Sequence, residues 1–307
     1  RTVTVRVPAT TANLGPGFDT LGMALAVYDE LQVTATAEPG VNVEVHGVGE
    51  GEVATDETNL VAKAIAYTFE KVGQPLPGLA LVAHNSIPHG RGMGSSGAAI
   101  VSGIMAAKGL LEGIVEFDEN LLLGIATEME GHPDNVAPAL FGGLTITWTT
   151  PEGPRFKKLM VHRGVSPLVA VPTELTMSTA LARSLQPESV PHQDAIFNVS
   201  RSALLIASLI QSPELLLAAT EDKLHQNYRA SAMPQTDALI QALRADGLAA
   251  VVSGAGPSIL VLGSDPSQRL RAAELIAERS ESNWDCLMLA VDFRGATVVV
   301  HSDDAAA

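Results

Sequence analysis

Two segments of this chain concentrate residue types with chemical capacity. The first runs Pro88-His89-Gly90-Arg91-Gly92-Met93-Gly94-Ser95-Ser96-Gly97-Ala98-Ala99 and leads into a stretch of small and apolar residues with helical character. Glycines let backbone amides crowd around an anion, and a helix that follows adds its positive end, so the pattern describes a phosphate cradle. Gly92, Gly94 and Gly97 also satisfy the dinucleotide spacing G-x-G-x-x-G, a weak signal by itself. Against that reading, a prolyl and histidyl loop separates the glycines from the preceding strand, and paired serines fill the interior positions. No Walker lysine follows. The plain alternative is a tight turn that only begins a helix. Ser95 and Ser96 suit two tasks: one hydroxyl to cap the helix, the other, assigned to Ser96, to hold magnesium beside bound phosphates.

The second segment is Glu128-Met129-Glu130-Gly131-His132-Pro133-Asp134-Asn135. Magnesium prefers hard oxygen ligands and takes one or two carboxylates alongside phosphate oxygens, so Glu130 or Glu128 could complete a nucleotide site. A solvated helix end explains the two glutamates almost as well. Asp134 and Asn135 stand at the edge of the apolar run VAPALFGG, where a polar pair is harder to explain by solvation alone. A third, weaker signal is Ser253-Gly254-Ala255-Gly256-Pro257-Ser258, which holds more small residues than a hairpin turn needs. That surplus suggests close approach to a ligand or to another part of the molecule.

Composition narrows the partners. With 34 acidic against 19 basic residues the formal net charge is −15, which repels nucleic acid and anionic lipid. Cys286 is the only cysteine, which rules out an internal disulfide and a cysteine zinc cluster and fits a reducing compartment, so a cytoplasmic location is expected. No apolar run approaches a membrane span, and the opening RTVTVRVP alternates as a strand does rather than as a secretion signal. The 46% hydrophobic share describes a chain that can build a sizeable core, and 307 residues are enough for two lobes.

Elements to position these segments follow from periodicity. Strands are expected at Val3–Val7, Val27–Ala37, Val41–His46, Leu79–Ala83, Leu144–Trp148, Phe156–Val161 and Pro167–Val171, with a loop from Pro8 to Phe18. Helices are expected at Asn59–Val72, after the glycine loop, and at Glu119–Glu130, capped by Asp118 and ended by Gly131. The second half reads as helices at Ala180–Leu185, Ala195–Ile210, Pro213–Tyr228, Pro234–Ala245 and Ser267–Arg279. Strands are expected at Ala249–Ser253, Ile259–Leu262, Leu287–Asp292 and Ala296–Val300, and the turn-rich Pro151–Pro154 suggests a boundary between residues 155 and 156.

Taken in order, PATTANLGPGFDTLGMAL, PHGRGMGSSGAA, EGHPDNVAPALFGG and VVSGAGPSILVL resemble the signature motifs of the GHMP kinases, a match that runs from Val3 to about Leu262. Met93 and Gly97 depart conservatively from the residues usual in that loop. The resemblance implies an α+β fold of two lobes, 1–155 binding nucleotide and 156–307 ferredoxin-like. It implies ATP and magnesium, with residues 88–98 around the nucleotide. Within the family it points to the branch that phosphorylates the side-chain hydroxyl of L-homoserine, a step of threonine biosynthesis, and to a homodimer. By the same resemblance Asn13, Asp19, His132, Asp134, Thr179, Arg183 and Arg229 surround the amino acid; Asn13, Asp134 and Asn135 are the candidate catalytic residues, with Asn13 and Asn135 to position the hydroxyl and Asp134 to orient the amine rather than act as the base some relatives use. Arginines can fork onto an α-carboxylate, while Asp19 and Asp134 can neutralise an α-ammonium. Other family members act on mevalonate, shikimate or sugars, and a member without activity could serve as a binding protein.

Overall fold

The computed structural model describes residues 1–301. The chain opens with β1 (Thr2–Ala12) and β2 (Leu21–Thr36), a long antiparallel pair, then β3 (Val41–Gly47), α1 (Leu60–Lys71) and β4 (Gly78–Asn85). β3 and β4 are parallel, as a crossover through a helix permits. Next come α2 (Ser95–Leu110), α3 (Glu119–Glu130), α4 (Val136–Phe141), β5 (Leu144–Thr150) and β6 (Gly153–Leu159). The first sheet has the order β11-β1-β2-β4-β3, with β5 pairing β2 and β6 pairing β5; its β11 (Thr297–His301) is the last described strand.

The second sheet is built from β7 (Ser166–Pro172), β8 (Ala250–Val252), β9 (Ile259–Gly263) and β10 (Trp284–Met288), in the antiparallel order β10-β7-β9-β8. In chain order that is 4-1-3-2, the ferredoxin-like arrangement. Its helices are α5 (Thr179–Ser184), α6 (His192–Ile210), the short α7 (Leu216–Ala219) and α8 (Gln226–Arg229), α9 (Pro234–Ala245) and α10 (Pro266–Arg279). The α+β fold is therefore as expected. The division expected between residues 155 and 156 falls inside β6, which stays in the first sheet, and β11 returns there from the far end of the sequence.

Local sequence explains the helices nearest the site. α2 is buried on nearly every side because its small residues allow close approach: a Cβ added at Gly103 would stand 2.6 Å from the Val61 carbonyl oxygen of α1. Asp118 accepts the Leu121 amide to start α3, and Gly131, at φ 97°, ends it.

Three expectations need correction. β1 does not stop at Val7 but continues through Pro8-Ala9-Thr10-Thr11-Ala12; a register shift at Pro8/Ala9 absorbs the proline, and burial of Thr10 and Thr11 keeps the strand in the core. The helix expected over Pro213–Tyr228 is broken into a 3-10 turn at Pro213–Leu215, α7 and α8. The break comes from Asp222, whose carboxylate accepts the amides of Leu224, His225 and Gln226 and so offers the backbone an alternative to the helical ladder. The strand expected at Leu287–Asp292 lies earlier, at Trp284–Met288, where it pairs with β7.

Candidate active site

Two cavities meet at the start of α2. The larger, about 420 Å3, lies between β3, β4 and the N-terminal parts of α1 and α2, with apolar walls from Val43, Val45, Val53, Leu81 and Ala99. The smaller, about 200 Å3, is polar and lined by Asn13, Asp19, His132, Asp134, Arg183 and Arg229 among others. Ser95 and Ser96 line both.

The glycine loop at this junction takes left-handed backbone that glycine adopts without steric cost. Gly90, Gly92 and Gly94 have φ of 65°, 73° and 72°, and a Cβ at Gly92 would stand 2.1 Å from the Ser253 carbonyl oxygen. The weak SGAGPS signal is thereby explained: Ser253 Oγ donates to the Gly92 carbonyl at 2.7 Å, and the two loops pack backbone to backbone. Met93 is buried in the core, and its carbonyl accepts the Thr10 amide. Arg91 spends its guanidinium on the carbonyls of His89, Pro172 and Thr173, which pins the loop to the end of β7. Pro88 and His89 lead into the loop, with His89 on the wall of the larger cavity, and Gly97 and Ala98 are buried in the first turn of α2.

Neither serine caps α2, contrary to expectation. Gly94 occupies the N-cap position with no side-chain bond, so the first amides of α2 are left without a side-chain acceptor. A helix start of that kind favours an anion through both its free donors and its dipole. Ser96 Oγ instead donates to Glu130 Oε2 at 2.8 Å. Burial raises the Glu130 carboxyl above its ordinary pKa, an effect only partly offset by the Ser96 bond. Glu128 points elsewhere: it accepts from Tyr67 and pairs with Lys71 at 2.8 Å, and those bonds lower its pKa.

Around the smaller cavity, Asp134 is 3% exposed and accepts from His132 Nδ1 at 2.5 Å. Asn135 uses its Oδ1 to accept the Thr10 hydroxyl at 2.9 Å, and Asn13 uses its amide to hold its own loop, accepting the Asp19 amide and donating to Gly254 O. Thr179 lies on the exposed rim. Arg183 and Asp19 form a two-bond ion pair across the cavity. Arg229 is 3% exposed, donates from Nη1 to Gly254 O at 3.3 Å and to His225, and leaves Nε without a partner. Burial lowers its pKa to about 10.

The residue types of the smaller cavity were thus foreseen, but not all of its walls. Phe18, Met177, Ala182 and Ala255 complete it, and the strand residues of the larger cavity were expected only as strands. His225 is the polar neighbour that motif reading missed, and its spacing of four residues from Arg229 is the signal that could have found it.

Comparison with known proteins shows the family of the chain. The sequence matches the GHMP kinases N terminal domain over residues 59–143 and the GHMP kinases C terminal domain over residues 203–280. It is 74% identical over 305 residues to a homoserine kinase of Leifsonia xyli subsp. xyli, covering 99% of this chain and 94% of that protein. It is 73% identical over 306 residues to a homoserine kinase of Clavibacter michiganensis subsp. michiganensis, covering 100% of this chain and 96% of that protein. The crystal structure of homoserine kinase from Cytophaga hutchinsonii superposes with a TM-score of 0.85 at 26% identity, covering 97% of each chain. An uncapped helix start between an apolar and a polar cavity, in a chain so close to these relatives along its whole length, leads to one assignment: the chain belongs to the homoserine kinase family of the GHMP kinases.

Proposed function

We propose that this chain transfers the γ-phosphoryl group of ATP to the side-chain hydroxyl of L-homoserine, releasing ADP and O-phospho-L-homoserine. The observation that carries the reading is the meeting of the two cavities at Ser95 and Ser96. An apolar cavity that suits a nucleobase and a small polar cavity with arginines and carboxylates open onto the same uncapped helix start. In that arrangement the acceptor hydroxyl oxygen attacks the γ-phosphorus as the bond to the β-phosphate oxygen breaks. The hydroxyl proton leaves to a phosphate oxygen or to solvent. Phosphoryl transfer asks mainly for alignment and charge compensation, which a rigid amide cradle and a shaped acceptor cavity supply.

The residues present fit a magnesium ion. Ser96, which lines both cavities, and Glu130, which lines the smaller one, offer hard oxygens side by side, and a half-buried carboxylate whose hydrogen-bond partner is a hydroxyl gains from a nearby cation. Among the described residues no group of three or more acidic, histidine or cysteine side chains could hold a metal ion; the proposed ion would draw its remaining ligands from phosphate oxygens and water. When bound, the ion offsets charge on the transferring phosphoryl group.

We assign Asp134 to the substrate ammonium rather than to proton abstraction, Arg183 and Arg229 to the α-carboxylate, and Asn13 and Asn135 to the geometry around the hydroxyl. Residues through 155 as nucleotide lobe and from 156 as second lobe, stitched by β6 and β11, belong to the same proposal. So do the cytoplasmic location and the homodimer, which light scattering tests. Among the described residues no helix is long and apolar enough to cross a membrane. ADP release measured in parallel with L-homoserine, mevalonate, shikimate and galactose tests the substrate. Turnover of L-homoserine alone is expected; ADP release with another acceptor, or with none, would overturn it.

A further inference from the structure

Behind the wall of the smaller cavity lies a buried polar cluster that phosphoryl transfer does not itself use. The side chains of Asp222 and His225 are 0% exposed, and Asn198 of α6 is 4% exposed. Asp222 gathers the amides of Leu224, His225 and Gln226 at 2.9, 3.2 and 2.8 Å, which shapes the turn into α8. Asn198 locks that turn, donating to Asp222 Oδ1 at 2.9 Å and accepting the Lys223 amide at 2.7 Å.

His225 stands where this cluster meets two site elements. Its Nε2 lies 2.5 Å from the Gly15 carbonyl oxygen, which can only accept, so Nε2 carries a proton. Its Nδ1 faces Arg229 Nη2, which can only donate, so Nδ1 is the acceptor and the ring is neutral. The ring also stacks on Phe18, with centroids 4.7 Å apart. Phe18 and Arg229 form the cavity wall in front of it.

The loop that His225 grips is strained. Asn13, Leu14 and Asp19 have φ of 74°, 56° and 56° without being glycine. Non-glycine residues in that region are disfavoured and persist where the surroundings over-determine them. The surroundings here are α6 and the turn before α8: Ser202 Oγ and Asn198 Nδ2 donate to the Pro16 carbonyl at 3.0 and 3.4 Å, and His225 donates to Gly15.

We propose that His225 is a positioning residue for the amino-acid substrate. One neutral imidazole sets the Asn13–Asp19 loop and the Arg229 guanidinium in register, so that Arg229 keeps its place in the cavity wall, where an α-carboxylate can meet it. The inference rests on the reading that the smaller cavity takes L-homoserine. It adds that recognition of the carboxylate runs through a residue that does not touch it.

The test compares His225→Gln, which keeps one donor and one acceptor, with His225→Phe, which keeps a ring and loses both. Each variant is assayed for kcat and KM with L-homoserine, with 3-amino-1-propanol (the same hydroxyl and amine without the carboxylate) and with ATP, after a thermal melt establishes folding. Wild-type turnover of L-homoserine tests the substrate reading separately. His225→Phe is expected to raise the L-homoserine KM by ~10–100-fold while kcat stays within about threefold and the ATP KM within about twofold. The preference in kcat/KM for L-homoserine over the carboxylate-free alcohol should shrink by the same factor, and His225→Gln should restore most of it. Equal losses on both alcohols, a parallel rise in the ATP KM, or a glutamine variant no better than phenylalanine would overturn the proposal. Should the phenylalanine variant fail to fold, the preference is read on His225→Asn, where an unchanged ratio overturns it.

Discussion

Arg183 reaches from α5 to Asp19 and sets its guanidinium on the carboxylate through two bonds, Nη1 to Oδ2 at 2.9 Å and Nη2 to Oδ1 at 2.7 Å. The pair is more than a third exposed, so its contribution to folding is small. Under the proposed function its value is geometric: two charges of opposite sign line the cavity, and a zwitterion can exchange their mutual bonds for bonds to its own carboxylate and ammonium.

Arg183→Ala is therefore expected to lower kcat/KM for L-homoserine by ~10–100-fold, the cost of one lost charge-assisted contact, with the ATP KM nearly unchanged. Steady-state ADP release against both substrates measures this. A rise in the ATP KM of similar size would place Arg183 at the nucleotide instead.

The two glutamates of α3 should separate cleanly. Glu130→Gln is expected to cut kcat by ~100-fold or more and to raise the magnesium concentration needed for half-maximal rate, since its carboxylate meets Ser96 at the cavity junction. Glu128→Gln should stay within about threefold of wild type, because that carboxylate pairs with Lys71 and Tyr67. A magnesium titration of both variants measures the difference.

For Asp134→Asn we expect the L-homoserine KM to rise far more than kcat falls, as loss of an ammonium partner would produce. A large fall in kcat at unchanged KM would mark a general base instead.

Glycine substitutions probe the cradle. Gly92→Ala meets both a positive φ and the Ser253 carbonyl oxygen, and should cost more than ~2 kcal/mol of stability. Gly113→Ala shares a positive φ but faces open space, and should cost only ~1 kcal/mol. Denaturant melts of the two variants compare these costs.

Acid should destabilise the protein through His225. Burial holds its folded-state pKa well below the ordinary value near 6.5; among the charged groups around it, Asp222 and Asp19 raise it and Arg229 lowers it. As pH falls below about 6.5 the unfolded chain takes up a proton that the folded ring resists, so stability present above that pH is lost below it. The slope from this one group is at most about 1.4 kcal/mol per pH unit. Thermal melts of wild type and His225→Gln between pH 7.5 and 5 should differ in slope by up to that amount.

Much of the site was legible because its motifs are local. A glycine that must take positive φ, an aspartate that caps a helix and a run of small residues that lets two helices touch all act within a few residues of themselves, so PHGRGMGSSGAA announces a loop and a buried helix without the rest of the chain. Their order along the sequence sufficed to identify the family. What failed locally failed for local reasons too. Pro8 read as a breaker although a register shift accommodates it, and Asp222 ended a helix by gathering amides that apolar spacing alone does not reveal.

The sequence alone determined the fold class, the glycine loop ahead of α2 and most residue types of the smaller cavity. Tertiary structure decided which of them meet. Glu128 and Glu130 stand two positions apart on α3, hence about 200° apart around the helix axis, and only the packing of α3 against α2 and α1 turns Glu130 to Ser96 and Glu128 to Lys71. His225 and Gly15 are 210 residues apart, and β11 joins β1 from the opposite end of the described chain. Periodicity reports which face of an element is buried; it carries no record of which distant face comes to cover it.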